Sequence, residues 1–295
     1  MDHFKIKVIP SVSLVAKNIS LCVNIMSSDE SVSVEQSGRR SRVQSAGTAV
    51  SVLKALAELG GAASLTGLAS RLNESPPKVH RYLASLVDAD LVLQDPATAR
   101  YILGPEAITI GLAAIRQSAV LTIAGVELAK LADAHQLSCF VSVLGNRGPT
   151  IVRWEEPVLP VTVNVRVGSV MPVLWSATGR AFGAFSDAAL LKNLVREELS
   201  SASAEQRRTL ADQKAVDALF EEIRLLRCAP IRDVLLNGVS AVAAPIFTDS
   251  GKLAAVITAL GPSGGFDPTP GASTALVVMK ASAAVSDRLG YRPGL

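Results

Sequence analysis

The dipeptide Pro76-Pro77 separates two apolar-periodic stretches and decides how residues 64–88 can fold. Proline is tolerated at the first position of a helix, where its missing N–H has no partner to lose, and it ends a helix that tries to pass through it. Before the break, Leu65, Leu68, Ala69 and Leu72 share one helical face, with Ser64 placed to cap them. Asn73-Glu74 make a short turn, and Ser75 is the cap candidate of a helix that starts at Pro76. An earlier helix places Val50, Leu53, Leu56 and Ala57 at helical spacing and ends at Gly60-Gly61. Two β-prone runs, 91–94 and 100–103, follow around an Asp-Pro turn. Three helices with a tight turn between the last two, then a hairpin, predict a winged helix-turn-helix.

At 100° per residue, Val79, Leu83 and Leu86 of the third helix cluster on one face, bordered by Tyr82 and Val87. Lys78, Arg81 and Ser85 fall on the opposite face, and His80 lies to the side. The apolar face packs inward, leaving the basic one free to enter a major groove. Arg100 on the hairpin is placed to reach a flanking phosphate or the minor groove. Charge supports this placement. Residues 39–104 carry 8 Lys/Arg against 5 Asp/Glu, whereas residues 105–295 are nearly balanced at 18 against 17. Any footprint for phosphate therefore lies in the N-terminal third.

A 295-residue chain that is 49% hydrophobic can bury a sizeable core in one large or two ordinary domains. Its 4% aromatic content argues against a stacking platform for single strands. Cys22, Cys139 and Cys228 are scattered and lack histidines at ligand spacing, which excludes a recognisable zinc knuckle or disulfide framework and suits a reducing compartment. Cys139 reads as a small core residue. No apolar run reaches the roughly 18–20 residues of a membrane helix. Pro10, Lys17 and Asn18 interrupt a signal-like start, Met26 offers a second translation start, and residues 1–44 are expected to be disordered.

Beyond Gly104 a helical stretch 105–135 is expected to break near 117–121. Strands are expected in LSCFVSVL, TIVRWEE and VTVNVRVG, and helices over about 176–227 with SSASAEQRR as a polar connection. SAVAAPIFT and KLAAVITALG form a hairpin through Asp249-Ser250-Gly251, and a last helix covers roughly 269–289.

In order, GTAVSVLKALAELGGAASLTGLASRL, KVHRYLASLVDADLVLQDPATARYILGPEAITIG, VSVLGNRGPTIVRWEEP, VGSVMPVLWSATGRAFGAF and GVSAVAAPIFTDSGKLAAVITALGP make the chain resemble the IclR family of bacterial transcriptional regulators from Ser45 to Gly290. That resemblance implies a homodimer or dimer of dimers, a GAF-like effector domain, and control by a small metabolite. Carried over by position, it implies a ligand site lined by Met171, Ala177, Thr178, Ile231, Val239, Ala241, Thr258 and Leu260, with Asp233 as a further contact. Ser176 opens a helix whose free N–H groups favour a carboxylate. Some residues depart from the family pattern. Pro77-Lys78 stand where Ser-Thr is common, Leu174-Trp175 where a histidine is usual, and Ala241 where many members have cysteine. The site residues are apolar enough to predict an aromatic or branched organic acid.

The expected fold is therefore α+β: a winged helix-turn-helix domain at 45–104, a linker helix at 105–121, and a larger mixed α/β GAF-like domain at 122–295 with a largely antiparallel sheet. No GxSxG, P-loop or HExxH motif appears, so no enzymatic chemistry and no cofactor or metal is expected. The expected function is a cytoplasmic, ligand-responsive regulator of double-stranded DNA, a repressor of an organic-acid catabolic operon. A small-molecule sensor or protein-interaction module with weakened DNA binding is the alternative, because of Pro77-Lys78.

Overall fold

A computed structural model of the protein describes residues 43–157 and 164–292. The expected disorder of 1–44 falls almost wholly outside them, as do Cys22 and Met26. The N-terminal unit packs α1 (Gln44–Glu58), α2 (Leu65–Leu72) and α3 (Pro76–Asp88) around one small core. Ser64 caps α2 as expected, its hydroxyl accepting from the Gly67 N–H at 3.1 Å. Asn73 closes the turn at φ 52°, a left-handed conformation that asparagine tolerates. On α1 the inward stripe is Val52, Ala55 and Leu56 with Leu53 at its border, so Leu53 and Leu56 of the predicted face pack inward while Val50 and Ala57 point to solvent. The hairpin is β2 (Val92–Gln94) and β3 (Tyr101–Leu103), and a short β1 (Ala62–Ala63) joins it in the order β1-β3-β2. The Asp95 carboxylate shapes its turn by accepting from the Ala97 N–H and the Thr98 hydroxyl.

The long helical stretch divides at Ser118 into α4 (Pro105–Gln117) and α5 (Ala119–His135), which meet at 82°. The Ser118 hydroxyl accepts from the Leu121 N–H and so caps α5. No residue of α4 is buried, and Ile108, Ile110, Leu112 and Ile115 stand exposed along it. Among the described residues no single helix is long and apolar enough to cross a membrane, although the bent α4–α5 pair passes by length and composition.

The second unit is built on an antiparallel sheet ordered β5-β4-β8-β7-β6. Its strands are β4 (Ser138–Gly145), β5 (Gly148–Glu155), β6 (Ala229–Arg232), β7 (Val239–Phe247) and β8 (Leu253–Pro262). The hairpin through Asp249-Ser250-Gly251 forms as predicted. Strand β6 was not expected; it is short and carries Pro230, which an edge position accepts because the missing N–H breaks no central ladder. The period of two sorts the strands' side chains. Cys139, Val141, Val242, Ala244, Ala255 and Ile257 face α5 and α10 (Ser273–Arg288), where Cys139 is the core residue expected. Ala243 and Val256 face the other way, toward α6 (Ala177–Phe185), α7 (Ala188–Ser200) and α9 (Gln213–Leu226).

Two further segments differ from expectation. Within SSASAEQRR a short helix, α8 (Ala204–Thr209), forms because Ser203 and Gln206 close a reciprocal capping box. VTVNVRVG lies partly outside the described residues. Its remainder, 164–168, is not a strand; it turns beside β5, where the Gly168 N–H donates to the Ile151 carbonyl.

Candidate DNA-binding face and ligand cavity

Helix α3 buries Val79, Leu83 and Leu86 and turns its basic side outward. Ser75, Lys78, His80 and Arg81 share one open groove with Leu65, Pro76 and Pro77, so the turn and the start of α3 form a single surface. Ser75 stands at the N-cap, where its carbonyl receives the Lys78 and Val79 N–H groups but its side chain makes no capping bond. Lys78 is not free: its ammonium holds the Glu74 carboxylate at 2.7 Å, one turn back. Arg81 and His80 are exposed, and Ser85, also exposed, leans on the Arg81 carbonyl. Arg100 is exposed at the end of the hairpin turn, outside that groove.

On the inner face of the large sheet, paired strands lay two rows of side chains side by side. Ile231, Ala241 and Leu260 make one, across β6, β7 and β8. Thr258, Phe140 and Trp154 make the next, across β8, β4 and β5. Phe140 and Trp154 stack with centroids 5.2 Å apart. Above this floor α6 begins, bringing Ser176, Ala177 and Thr178 to the wall of a cavity that Met171, Val165, Val239, Leu235 and Leu236 complete. The free space inside is small, about 40 Å³ to the centre of a water-sized sphere.

The polar groups here are few and mostly committed. The Ser176 hydroxyl donates to the Pro172 carbonyl at 2.7 Å and accepts from the Gly179 N–H at 2.9 Å. The hydroxyls of Thr178 and Thr258 pair at 2.8 Å, both buried. Ala177 and Thr178, whose first-turn N–H groups have no carbonyl one turn back to bond, both line the cavity. No lining side chain among the described residues is charged.

Two ionic groups hold this wall from behind. Glu198 on α7 receives the N–H groups of Val173 and Leu174 at 2.6 and 2.8 Å, and burial pushes its carboxyl up against those two bonds. Arg180 is buried with its Nε donating to the Leu174 carbonyl, and desolvation pushes the guanidinium down to about 10 against the opposing charge of Glu222. Neither lines the cavity, and Trp175 is packed in the α6–α7–α9 core.

Nine of the ten residues expected at a ligand site thus surround one cavity: Met171, Ser176, Ala177, Thr178, Ile231, Val239, Ala241, Thr258 and Leu260. Asp233 does not; it is exposed, and its Oδ1 accepts from the Gly238 N–H and the Ser263 hydroxyl. Phe140, Val165, Leu235 and Leu236 were missed. Phe140 had a signal in the alternation of LSCFVSVL, which puts it out of phase with the core residue Cys139.

A winged helix-turn-helix followed by an α/β domain with an internal apolar cavity is the build of a ligand-responsive, DNA-binding transcriptional regulator. Residues 112–287 match the bacterial transcriptional regulator IclR C-terminal domain, and residues 45–96 match the IclR helix-turn-helix domain. The chain belongs to the IclR family. It is 24% identical over 250 residues to the HTH-type transcriptional repressor AllR of Klebsiella pneumoniae, covering 83% of this chain and 89% of that one. The crystal structure of Pseudomonas aeruginosa HmgR is 40% identical, with a TM-score of 0.55 over 86% of this chain and all (100%) of that one. An IclR homolog from Microbacterium hydrocarbonoxydans, solved with 4-hydroxybenzoate, shares the fold at 16% identity and a TM-score of 0.67, covering 83% of this chain and 98% of that one.

Proposed function

We propose that the protein is a cytoplasmic, homodimeric repressor of a catabolic operon whose operator affinity is set by an aromatic or branched organic acid. The observation that carries the reading is the cavity: an apolar floor beneath the N-terminus of α6 suits a hydrocarbon body with a carboxylate at one end. The first-turn amides of Ala177 and Thr178 meet the anion, and the Thr178–Thr258 pair supplies a neighbouring hydroxyl. On the DNA side, Arg81 and Lys78 reach base edges and phosphates while Arg100 contacts the flanking backbone. The exposed isoleucines of α4 give a second copy an apolar face to cover, and two copies present two α3 helices about 34 Å apart or a multiple of that. A coupling of ~1–3 kcal/mol between cavity and operator changes DNA affinity about 5- to 150-fold.

The test is footprinting on the DNA upstream of its own gene, across a salt series, with and without 4-hydroxybenzoate as the first probe. A salt-sensitive footprint that a benzoate-type acid shifts supports the reading, and a response confined to glyoxylate or pyruvate overturns the ligand class. A second reading, a sensor with weakened DNA binding, draws support from Lys78 being held by Glu74. No footprint at any salt would favour it.

A further inference from the structure

We propose that residues 233–238 form a latched lid over the cavity, with the Asp233 carboxylate as the latch and Leu235 and Leu236 as the cover. The proposal deepens the effector reading above and rests on it for what the lid admits. The six residues leave β6 at Arg232 and enter β7 at Val239. Both of their ends sit in the left-handed region, Asp233 at φ 54° and Gly238 at φ 80°, so the loop departs and returns at two sharp corners. Within it, the Asp233 N–H donates to the Val239 carbonyl and the Val239 N–H to the Leu236 carbonyl, which makes the loop a compact unit rather than a trailing strand.

One carboxylate oxygen ties this unit down. Asp233 Oδ1 accepts from the Gly238 N–H at 2.8 Å, closing the loop on itself, and from the Ser263 hydroxyl at 2.6 Å, fixing it to the end of β8. Ser263 in turn holds the Gly238 carbonyl through its own N–H and shares a hydroxyl contact with Ser240. These bonds, that from Ser263 foremost, hold the Asp233 carboxyl below the ordinary carboxylate range, so the latch is charged at neutral pH. The two bonds to the Asp233 carboxylate are charge-assisted, the stronger kind, and neither belongs to the backbone ladder of the sheet.

The cover is also distinctive. Among the thirteen lining residues, Leu235 and Leu236 stand apart: they are 37% and 39% exposed while the rest are buried or partly buried. Their side chains are therefore shared between the cavity and solvent, as a lid's must be. With the lid down, the space beneath has room for a few waters. A ring-bearing acid needs more, so entry requires the loop to lift about Asp233 and Gly238. Two leucines seal a hydrocarbon body and offer nothing to a small hydrophilic one, which makes the lid a filter as well as a door.

The experiment uses the full chain without ligand. Hydrogen–deuterium exchange is followed in peptides covering 233–239 for Asp233→Asn, which tolerates the left-handed backbone, and for Ser263→Ala. Each is expected to exchange roughly three- to tenfold faster there, with peptides of α5 and α10 unchanged. Leu235→Ala/Leu236→Ala is tested with 1-anilinonaphthalene-8-sulfonate, whose fluorescence should rise several-fold as the cavity is uncovered. Unchanged exchange, or faster exchange spread over the whole domain, overturns the latch, and unchanged fluorescence overturns the cover. None of these readouts needs the native effector, so they can succeed even if no organic acid alters operator affinity.

Discussion

Thr178 and Thr258 stand 80 positions apart in sequence, yet their hydroxyls meet at 2.8 Å at the cavity, one from the first turn of α6 and one from the middle of β8. Both are buried at the cavity wall, so a hydroxyl that loses its partner has at most the few waters of the cavity to turn to. Thr178→Val or Thr258→Val alone strands a hydroxyl and should cost about 1–3 kcal/mol, whereas the double variant should cost less than the two singles together. Urea unfolding in a double-mutant cycle measures this. The double variant should also blunt the effector response while leaving ligand-free operator binding intact.

If Lys78 contacts DNA as proposed, its ion pair with Glu74 must compete with that contact. A half-buried surface pair of this kind is worth only ~1 kcal/mol or less, so phosphate can break it. Glu74→Gln should therefore tighten operator binding modestly, by at most about fivefold, and steepen its salt dependence. Arg81→Ala should weaken binding by about 1–3 kcal/mol if it reads a base, with lost discrimination at one operator position. Fluorescence anisotropy against wild-type and single-mismatch operators separates these outcomes.

The α6 wall is secured by a carboxylate whose environment favours the protonated form. Because burial raises Glu198 above the ordinary value of 4.5, the folded state holds its proton more tightly than the unfolded state does. Its contribution to stability is then largest at low pH, declines as pH rises from that ordinary value through the folded one, and is flat beyond. Subtracting the pH–stability profile of Glu198→Gln from that of the wild type should show this decline. Asp95, Asp233 and Asp267 are shifted downward and act oppositely, losing their contribution as pH falls, but they cancel in the difference. At pH 7 the variant should itself lose about 1–3 kcal/mol, since one backbone N–H of the Val173–Leu174 pair is left without an acceptor.

Local signals account for what was legible in the sequence. Ser64, Pro76, Gly60-Gly61 and the Asp249–Gly251 turn each act within a few residues, and the structure places elements where they point. The face of α1 was read only in part: Leu53 and Leu56 pack inward, but Val50 is apolar and lies off the Val52–Ala55–Leu56 stripe, and only the packing of α2 and α3 decides between two such stripes. The cavity was legible only through the family resemblance, since its floor depends on which strands pair. Phe140 faces it because β4 lies beside β8 and sets Phe140 opposite Thr258, a pairing that neither strand's own sequence announces. Leu235 and Leu236 were missed for a related reason: β6 was not expected, so the residues after it had no strand to leave. Asp233 reads as an acid at a ligand site until the structure leaves it outside the cavity, with its Oδ1 engaged by Gly238 and Ser263.

Two helical glycines offer the last contrast. A Cβ on Gly179 would lie 1.9 Å from the Pro172 carbonyl oxygen and 2.5 Å from the Val173 Cα, backbone that Glu198 and Ser176 already pin. A Cβ on Gly125 would instead meet the end of the Arg153 side chain at 2.2 Å, and that guanidinium can swing away. Gly179→Ala should therefore destabilise the fold by about 1–3 kcal/mol or more, as overpacking against fixed atoms does. Gly125→Ala should be near neutral, because a gain of up to ~1 kcal/mol in helix propensity offsets the displaced arginine. Thermal melts should rank the two variants, at about 2–4 °C per kcal/mol for a chain of this size. If Gly179→Ala folds at all, α6 must have moved off the 172–175 segment, and the first-turn amides of Ala177 and Thr178 move with it. Effector binding should then weaken by more than operator binding does.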